Sequence, residues 1–174
     1  MALRNKIGVD GVGHINISSN ALTTVGLRMN EFHEESFIHP IHGQFTTLVG
    51  LKCYLRTGCQ DNVYRYKDPE TIVGLFTVAE KIWNRNYMYN VALAYIAKVQ
   101  QNQDLAQQII DTGDIPFASY RVPNPENPEP YVEKKRDNLT IDMWTSIRTM
   151  LQTPNAIDQE YSKLMIKLGY LGPR

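Results

Sequence analysis

No apolar run in the chain approaches the roughly 18 residues needed to span a bilayer, which points away from a membrane protein. The opening, MALRNKIGVDGVGH, lacks the continuous apolar stretch of a secretory signal. Cysteine is scarce, with only Cys53 and Cys59, whereas small secreted domains carry a dense disulfide framework. Two reduced thiols in a cytoplasmic protein is the expectation. An excess of one charge is missing too: 18 Lys plus Arg balance 18 Asp plus Glu. Affinity for a phosphate backbone normally comes with a basic excess, so the balance argues against a general DNA or RNA binder, though not against a local basic pocket. Internal repeats and breaks in composition are also lacking. With 43% hydrophobic residues in a chain of 174, there is enough to bury one core, and residues 1–174 read as a single domain.

What is present is mostly helical pattern behind a small β portion. Asp10-Gly11 between Lys6–Val9 and Val12–Ile17 signals a hairpin, and Ile15 to Ser18 alternates as a half-buried strand does. Gly8, Gly11 and Gly13 are in the wrong order for a phosphate loop and read as turn glycines. Gln44 to Arg56 reads as a helix with Phe45, Leu48, Val49, Cys53 and Leu55 inward, stopped at Gly58. Asp68 caps a second helix with Pro69 in its first turn; Ile72, Leu75, Phe76, Ala79, Ile82 and Trp83 form one stripe that reads as core. A third helix carries Met88, Val91, Ala92, Tyr95, Ile96 and Val99, and a short fourth runs from Leu105 to Ile110. Ile115 to Val122 looks extended. Prolines then occupy four of the eight positions from Pro123 to Pro130, an extended loop suited to covering a pocket as a flap. Helices over Thr140–Gln152 and Pro154–Leu168 close the chain, the latter capped by Thr153.

Candidate chemistry outside these patterns is thin. His33, His39 and His42 lie near Glu34 and Glu35, but Pro40 breaks any helix that would align a metal pair, and no cysteine pair completes a four-ligand site. Neither a metal nor a cofactor is expected, and the histidines read as solvent-facing or loop-bracing. No histidine stands near either cysteine to activate it as a nucleophile. Lys134-Lys135-Arg136 reads as solvated surface.

Several stretches taken in order resemble the NADAR (YbiA-like) N-glycosidase family. Ser18 to Phe32 is similar to that family's opening strand and Leu-Ser-Asn-Phe turn. Gly43 to Gly58 resembles its helix written Phe-x-Ser-Val-Glu-Gly. Ala97 to Leu105, running on to Thr112-Gly113, is similar to its lysine-asparagine-leucine helix and Thr-Gly stop. Ile115 to Tyr120 resembles a Leu-Pro-Phe-x-His-Tyr segment of versions from large bacteriophages, and Trp144 to Arg148 a closing Trp-x-x-Ile-Arg. The likeness covers about residues 14–152. It implies an α+β, mostly helical, compact single domain with a small N-terminal β portion, and hydrolysis of N-glycosidic bonds in ribose-phosphate compounds, including removal of ADP-ribose from nucleobases.

Departures from the pattern bear on that activity. The family's glutamate falls on Val49, its histidine on Ser119, and the serine of its turn on Asn30-Glu31. Cleaving an N-glycoside passes through an oxocarbenium-like state that needs a carboxylate, and valine cannot serve. Glu31, Asp114, Glu133 or Asp142 are the carboxylates that stand elsewhere to replace it. Residues suited to a nucleotide remain: Arg28, Arg56 and Arg148 for phosphate, Asn20 and Asn30 for ribose, Tyr120 and Trp144 for stacking on a base. The expected function is therefore binding of a nucleotide or ADP-ribose derivative without turnover, sequestering a nucleotide-derived signal as a phage counter-defence factor. An active ADP-ribosyl glycohydrolase and a protein-only inhibitor are the alternatives. The expected partner is a small molecule, with neither membrane nor unmodified nucleic acid, and with room for a homo-oligomer.

Overall fold

A computed structural model describes residues 10–121, 131–132 and 137–153. In chain order the elements are β1 (Ile15–Asn16), α1 (Thr24–Met29), β2 (Phe37–His39), β3 (Gly43–Phe45), α2 (Leu48–Arg56) and α3 (Val63–Tyr66). Then come α4 (Pro69–Val78), α5 (Tyr87–Gln101), α6 (Gln103–Asp111), β4 (Phe117–Ala118), β5 (Tyr120–Arg121), β6 (Tyr131–Val132) and α7 (Asp137–Gln152). The strands form three two-stranded pairs, so the described residues are α+β and mostly helical. No described helix is long and apolar enough to cross a membrane.

The core is centred where α2 packs on α5. Leu48, Leu51 and Leu55 of α2 and Val91, Ala94 and Tyr95 of α5 are almost wholly buried. They recur at three- and four-residue spacing, which puts each set on one helical face. β2 lies on α5, and α7 touches α5, α6 and β4. Gly50 lets α3 sit close on α2: a Cβ there would stand 2.3 Å from the Tyr64 carbonyl oxygen.

Three elements differ from the sequence expectation, each for a local reason. The helix expected from Gln44 begins only at Leu48, because Gly43–Phe45 pairs antiparallel with Phe37–His39. A buried histidine ties that hairpin. His39 Nδ1 accepts from the Ile41 and His42 amides, each at 3.1 Å, while Nε2 donates to the Asn90 carbonyl at 2.9 Å. Thr47 then stays extended (φ −142, ψ 152) and its hydroxyl caps α2 by accepting from the Gly50 amide.

The strand at Ile15 pairs in parallel with β4, Ile15 opposite Phe117 and Asn16 opposite Ala118. Of the hairpin expected around Asp10-Gly11, the described part holds a turn in which Gly11 has φ 90 and the Gly11 amide donates to the His14 carbonyl, and the strand expected from Val12 begins only at Ile15. The Lys6–Val9 arm lies outside the described residues. Ile15 and Asn16 are both buried, so the strand needs a partner in the interior, and β4 supplies it.

The stripe expected inward on the second helix is the third correction. Of its members only Ile72 is fully buried; α4 stops at Val78, and Ile82 and Trp83 stand 49% and 82% exposed. Ala79 leaves the helical region (φ −72, ψ 149), and the chain is drawn across the end of α2. There the Ile82 amide donates to the Arg56 carbonyl at 2.7 Å, and Asn84 Nδ2 to the Leu55 carbonyl.

α7 begins at Asp137, a turn before the expected Thr140. The extended segment from Ile115 breaks into β4 and β5, the latter paired with Tyr131–Val132. The helix expected over Pro154–Leu168, the proline-rich Pro123–Pro130 flap, Glu133 and Lys134-Lys135-Arg136 lie outside the described residues.

Candidate functional site

Glu31 follows directly on α1. Asn30, its C-cap, is extended (ψ 141), and its side-chain oxygen accepts from the Phe32 amide at 2.8 Å, which turns the chain towards α2. The Glu31 carbonyl accepts from the Val49 amide at 3.0 Å, satisfying one of the free N–H groups of the first turn of α2. The Glu31 backbone thus stands beside that of Val49, and its carboxylate reaches the next turn of α2. It is ion-paired with Lys52, one turn along α2, and accepts from the Tyr95 hydroxyl of α5 at 2.7 Å and the Thr140 hydroxyl of α7 at 3.3 Å. Helices α2, α5 and α7 and the α1 exit converge on this one oxygen.

The side chains of Glu31 and Lys52 are 23% and 22% exposed, so the pair reaches solvent, while Tyr95 beneath it is wholly buried. Burial works to raise the Glu31 pKa, but the adjacent Lys52 ammonium and the three donors outweigh it and hold the carboxyl below its usual range. Burial and the Glu31 charge push Tyr95 well above its usual value, Tyr87 up to about 12 and the Cys53 thiol up to about 11. At neutral pH the site therefore holds an ionised carboxylate among neutral phenols, and Cys53 is an inert thiol.

The other residues expected in the site are distributed as follows. Arg56 ends α2, exposed, its guanidinium 5.7 Å over the Tyr87 ring. It is four residues from Lys52, so the two cations share one helix face. Trp144 is wholly buried, its ring centroid 4.9 Å from that of Tyr95 with the planes tilted by 51°, and its Nε1 is without a hydrogen-bond partner among the described residues. An indole so placed backs the site without offering it a ring face. Arg148 is 8% exposed and donates to the Ile115 carbonyl at 2.6 Å and the Thr112 hydroxyl at 3.1 Å, its guanidinium 4.2 Å over Phe117. Ser119 donates to the Ile17 carbonyl at 3.3 Å. Asn20 is exposed near β1, bonded to Ser19. Tyr120 contributes backbone to β5; its side chain lies outside the described part. Asp114 is exposed and close enough to Arg148 to support its charge, and Asp142 is half-buried on α7.

Arg28 belongs to a second cluster. It pairs with Glu35 and, at 2.8 Å, with Asp104. Lys98, wholly buried on α5, donates to the Arg28 carbonyl at 2.7 Å and stands 3.5 Å from Glu35. Burial lowers Lys98 to about 8, against the pull of Glu35. Lys52, Tyr95, Glu35 and Lys98 were not expected as polar centres. For Lys98 a signal existed: it stands on the apolar stripe of Val91, Tyr95 and Val99, where a lysine needs a buried anion.

Among the described residues no group of three or more His, Cys, Asp and Glu could hold a metal ion. A separate open groove of about 420 Å³ runs between the starts of β1 and α1 and the end of α6, lined by Thr23, Thr24, Gln108, Asp111 and Thr112 among others. No family model, curated protein or solved structure matches the chain.

Proposed function

We propose that the chain is a nucleotide-binding protein whose ligand, an ADP-ribose-like diphosphate, is held at the Glu31–Lys52 site and released unchanged. The observation that carries this reading is the state of Glu31. A carboxylate that stabilises an oxocarbenium-like state must present uncompensated charge to the sugar. Glu31 instead faces an ammonium and two hydroxyl donors, so its charge is already matched and its basicity reduced. Arg56, exposed at the end of α2 on the face it shares with Lys52, is the phosphate cation of this reading. Arg28 and Arg148 commit their donors within the protein. The resemblance to versions from large bacteriophages gives such a binder its role: sequestering a nucleotide-derived signal inside the infected cell.

Calorimetry with ADP-ribose, followed by chromatography of the recovered ligand, tests the reading. Intact ligand and a Kd raised at least tenfold by Arg56→Ala is the expected result; each charge-assisted phosphate contact contributes about 1.5–3 kcal/mol. Absence of binding overturns it and leaves a protein-only inhibitor. The second reading, an active N-glycosidase, is favoured by the placement of Glu31 beside Val49. Release of free base from an ADP-ribosylated nucleobase, abolished by Glu31→Gln, would select it.

A further inference from the structure

The groups that meet at Glu31 leave two atoms uncommitted. All three donors reach the same carboxylate oxygen: the Lys52 ammonium, the Tyr95 hydroxyl at 2.7 Å and the Thr140 hydroxyl at 3.3 Å each bond Oε1. Oε2 accepts from no donor among the described residues and keeps contact with solvent. Lys52 is in the same condition. Its ammonium carries three N–H groups; one bonds Oε1 and another reaches the Tyr95 hydroxyl at 3.3 Å, which leaves one without an acceptor among the described residues. The Tyr95 hydroxyl accepts from Lys52 and donates to Glu31, so the three groups brace one another. An open acceptor and an open donor are thereby held side by side.

That pair selects what can bridge it. A cationic donor on Oε2 would lie against the Lys52 ammonium, and like charges repel. An amide N–H can donate to Oε2 but cannot accept from Lys52, and a carbonyl oxygen can accept but not donate. A hydroxyl does both at once. Oε2 also has a further lone pair for a second, adjacent hydroxyl, and acidic side chains hold ribose hydroxyls in this way in dinucleotide-binding folds. Arg56 adds direction. It follows Lys52 by four residues, about 6 Å along α2, a separation that a sugar ring and its exocyclic carbon span between a ring hydroxyl and a phosphate. We propose, on the reading that the ligand is an ADP-ribose-like diphosphate, that Glu31 Oε2 and Lys52 Nζ together bind a ribose hydroxyl and make the site selective for ribosyl over deoxyribosyl compounds.

Calorimetry with ADP-ribose, and with analogues that each lack one ribose hydroxyl, tests the assignment on the native chain. Removing the recognised hydroxyl should raise Kd at least tenfold, because a hydrogen bond to a charged group is lost. Glu31→Gln is the matching change in the protein. Three donors hold the amide oxygen where Oε1 stands, so the internal network survives and only Oε2 is replaced, by an amino group that cannot accept. The Kd for ADP-ribose should again rise at least tenfold with a native far-UV spectrum, and removing the recognised hydroxyl should then cost little more, as for groups in direct contact. If Glu31→Gln does not fold, the analogues on the native chain decide. Analogues that all bind like ADP-ribose, a Glu31→Gln chain that binds as tightly, or losses that simply multiply overturn the sugar assignment and leave the nucleotide reading standing. No binding of ADP-ribose overturns both.

Discussion

Both ring nitrogens of His39 are committed in the neutral form, Nδ1 as an acceptor and Nε2 as a donor. Burial accordingly lowers its pKa from 6.5 to about 4. Above pH 6.5 the folded and unfolded chains bind the same number of protons here. Between 6.5 and 4 only the unfolded chain takes one, so stability falls as pH falls, by up to about 3 kcal/mol. His33 and His42 are lowered in the same direction by burial, so the contribution of His39 is read by difference. Urea midpoints at pH 7 and pH 5 should converge between wild type and His39→Asn, the variant being weaker at pH 7 and flatter below it; parallel slopes would refute the assignment. Glu35 is the second such residue. Removing it leaves Arg28 and Lys98 buried without their shared anion, and Glu35→Ala is expected to cost about 3–5 kcal/mol in urea unfolding. At this scale the inward side chains of α2, Leu48, Val49, Cys53 and Leu55, were legible from their spacing, whereas the arginines and the tryptophan expected at a ligand rested on resemblance alone, which carries no information that Arg28 and Arg148 bond within the protein or that Trp144 is buried. Partners were not legible, because a pair such as Lys98 and Glu35 is joined by packing between elements far apart in the chain.

Helix starts and stops follow from single residues. Thr47 sets where α2 begins, and a helical period read from Gln44 onward could not distinguish that strand from a first turn, since Phe45 is buried in either geometry. The α4 stripe misled for a different reason. Periodicity reports that a face is apolar, not how deeply it is buried, and here only Ile72 is fully buried while Phe76 packs half-buried against the core. Gly50 shows the converse, a demand that periodicity does not register. Its missing Cβ admits the Tyr64 carbonyl and touches Thr47 Oγ1 at 3.0 Å. Gly50→Ala must move α3 off α2 and is expected to destabilise by about 3 kcal/mol, at the upper end for overpacking, because a backbone carbonyl cannot rotate aside. A thermal shift within one degree of wild type would mean that α3 yields more readily than the contact implies.

Across the whole molecule, α7 is the element that joins the two ends of the described fold. Trp144 anchors it on α5, and Arg148 and Gln152 bond it to the segment between α6 and β4. β4 in turn holds β1, with the Ile15 amide bonded to the Pro116 carbonyl and the Ile17 amide to Ala118. Loss of the Arg148 donors should loosen that pair selectively. In Arg148→Leu, hydrogen exchange at Ile15 and Ile17 is expected to accelerate at least tenfold while Leu51 and Tyr95 keep their protection, because subglobal openings need not involve the α2–α5 core. Equal acceleration at all four amides would show that α7 and the core unfold as one.

The parallel pairing of β1 with β4 also has a consequence in time. Residues joined there are about a hundred positions apart, as the Ser119–Ile17 bond spans 102. A ribosome adds about 5–20 residues each second, so β1 emerges several seconds before its partner exists. During that interval α2 and α5 can already meet, while a buried-type strand with Ile15 and Ile17 waits unpaired in the cell, within reach of chaperones and of other nascent chains.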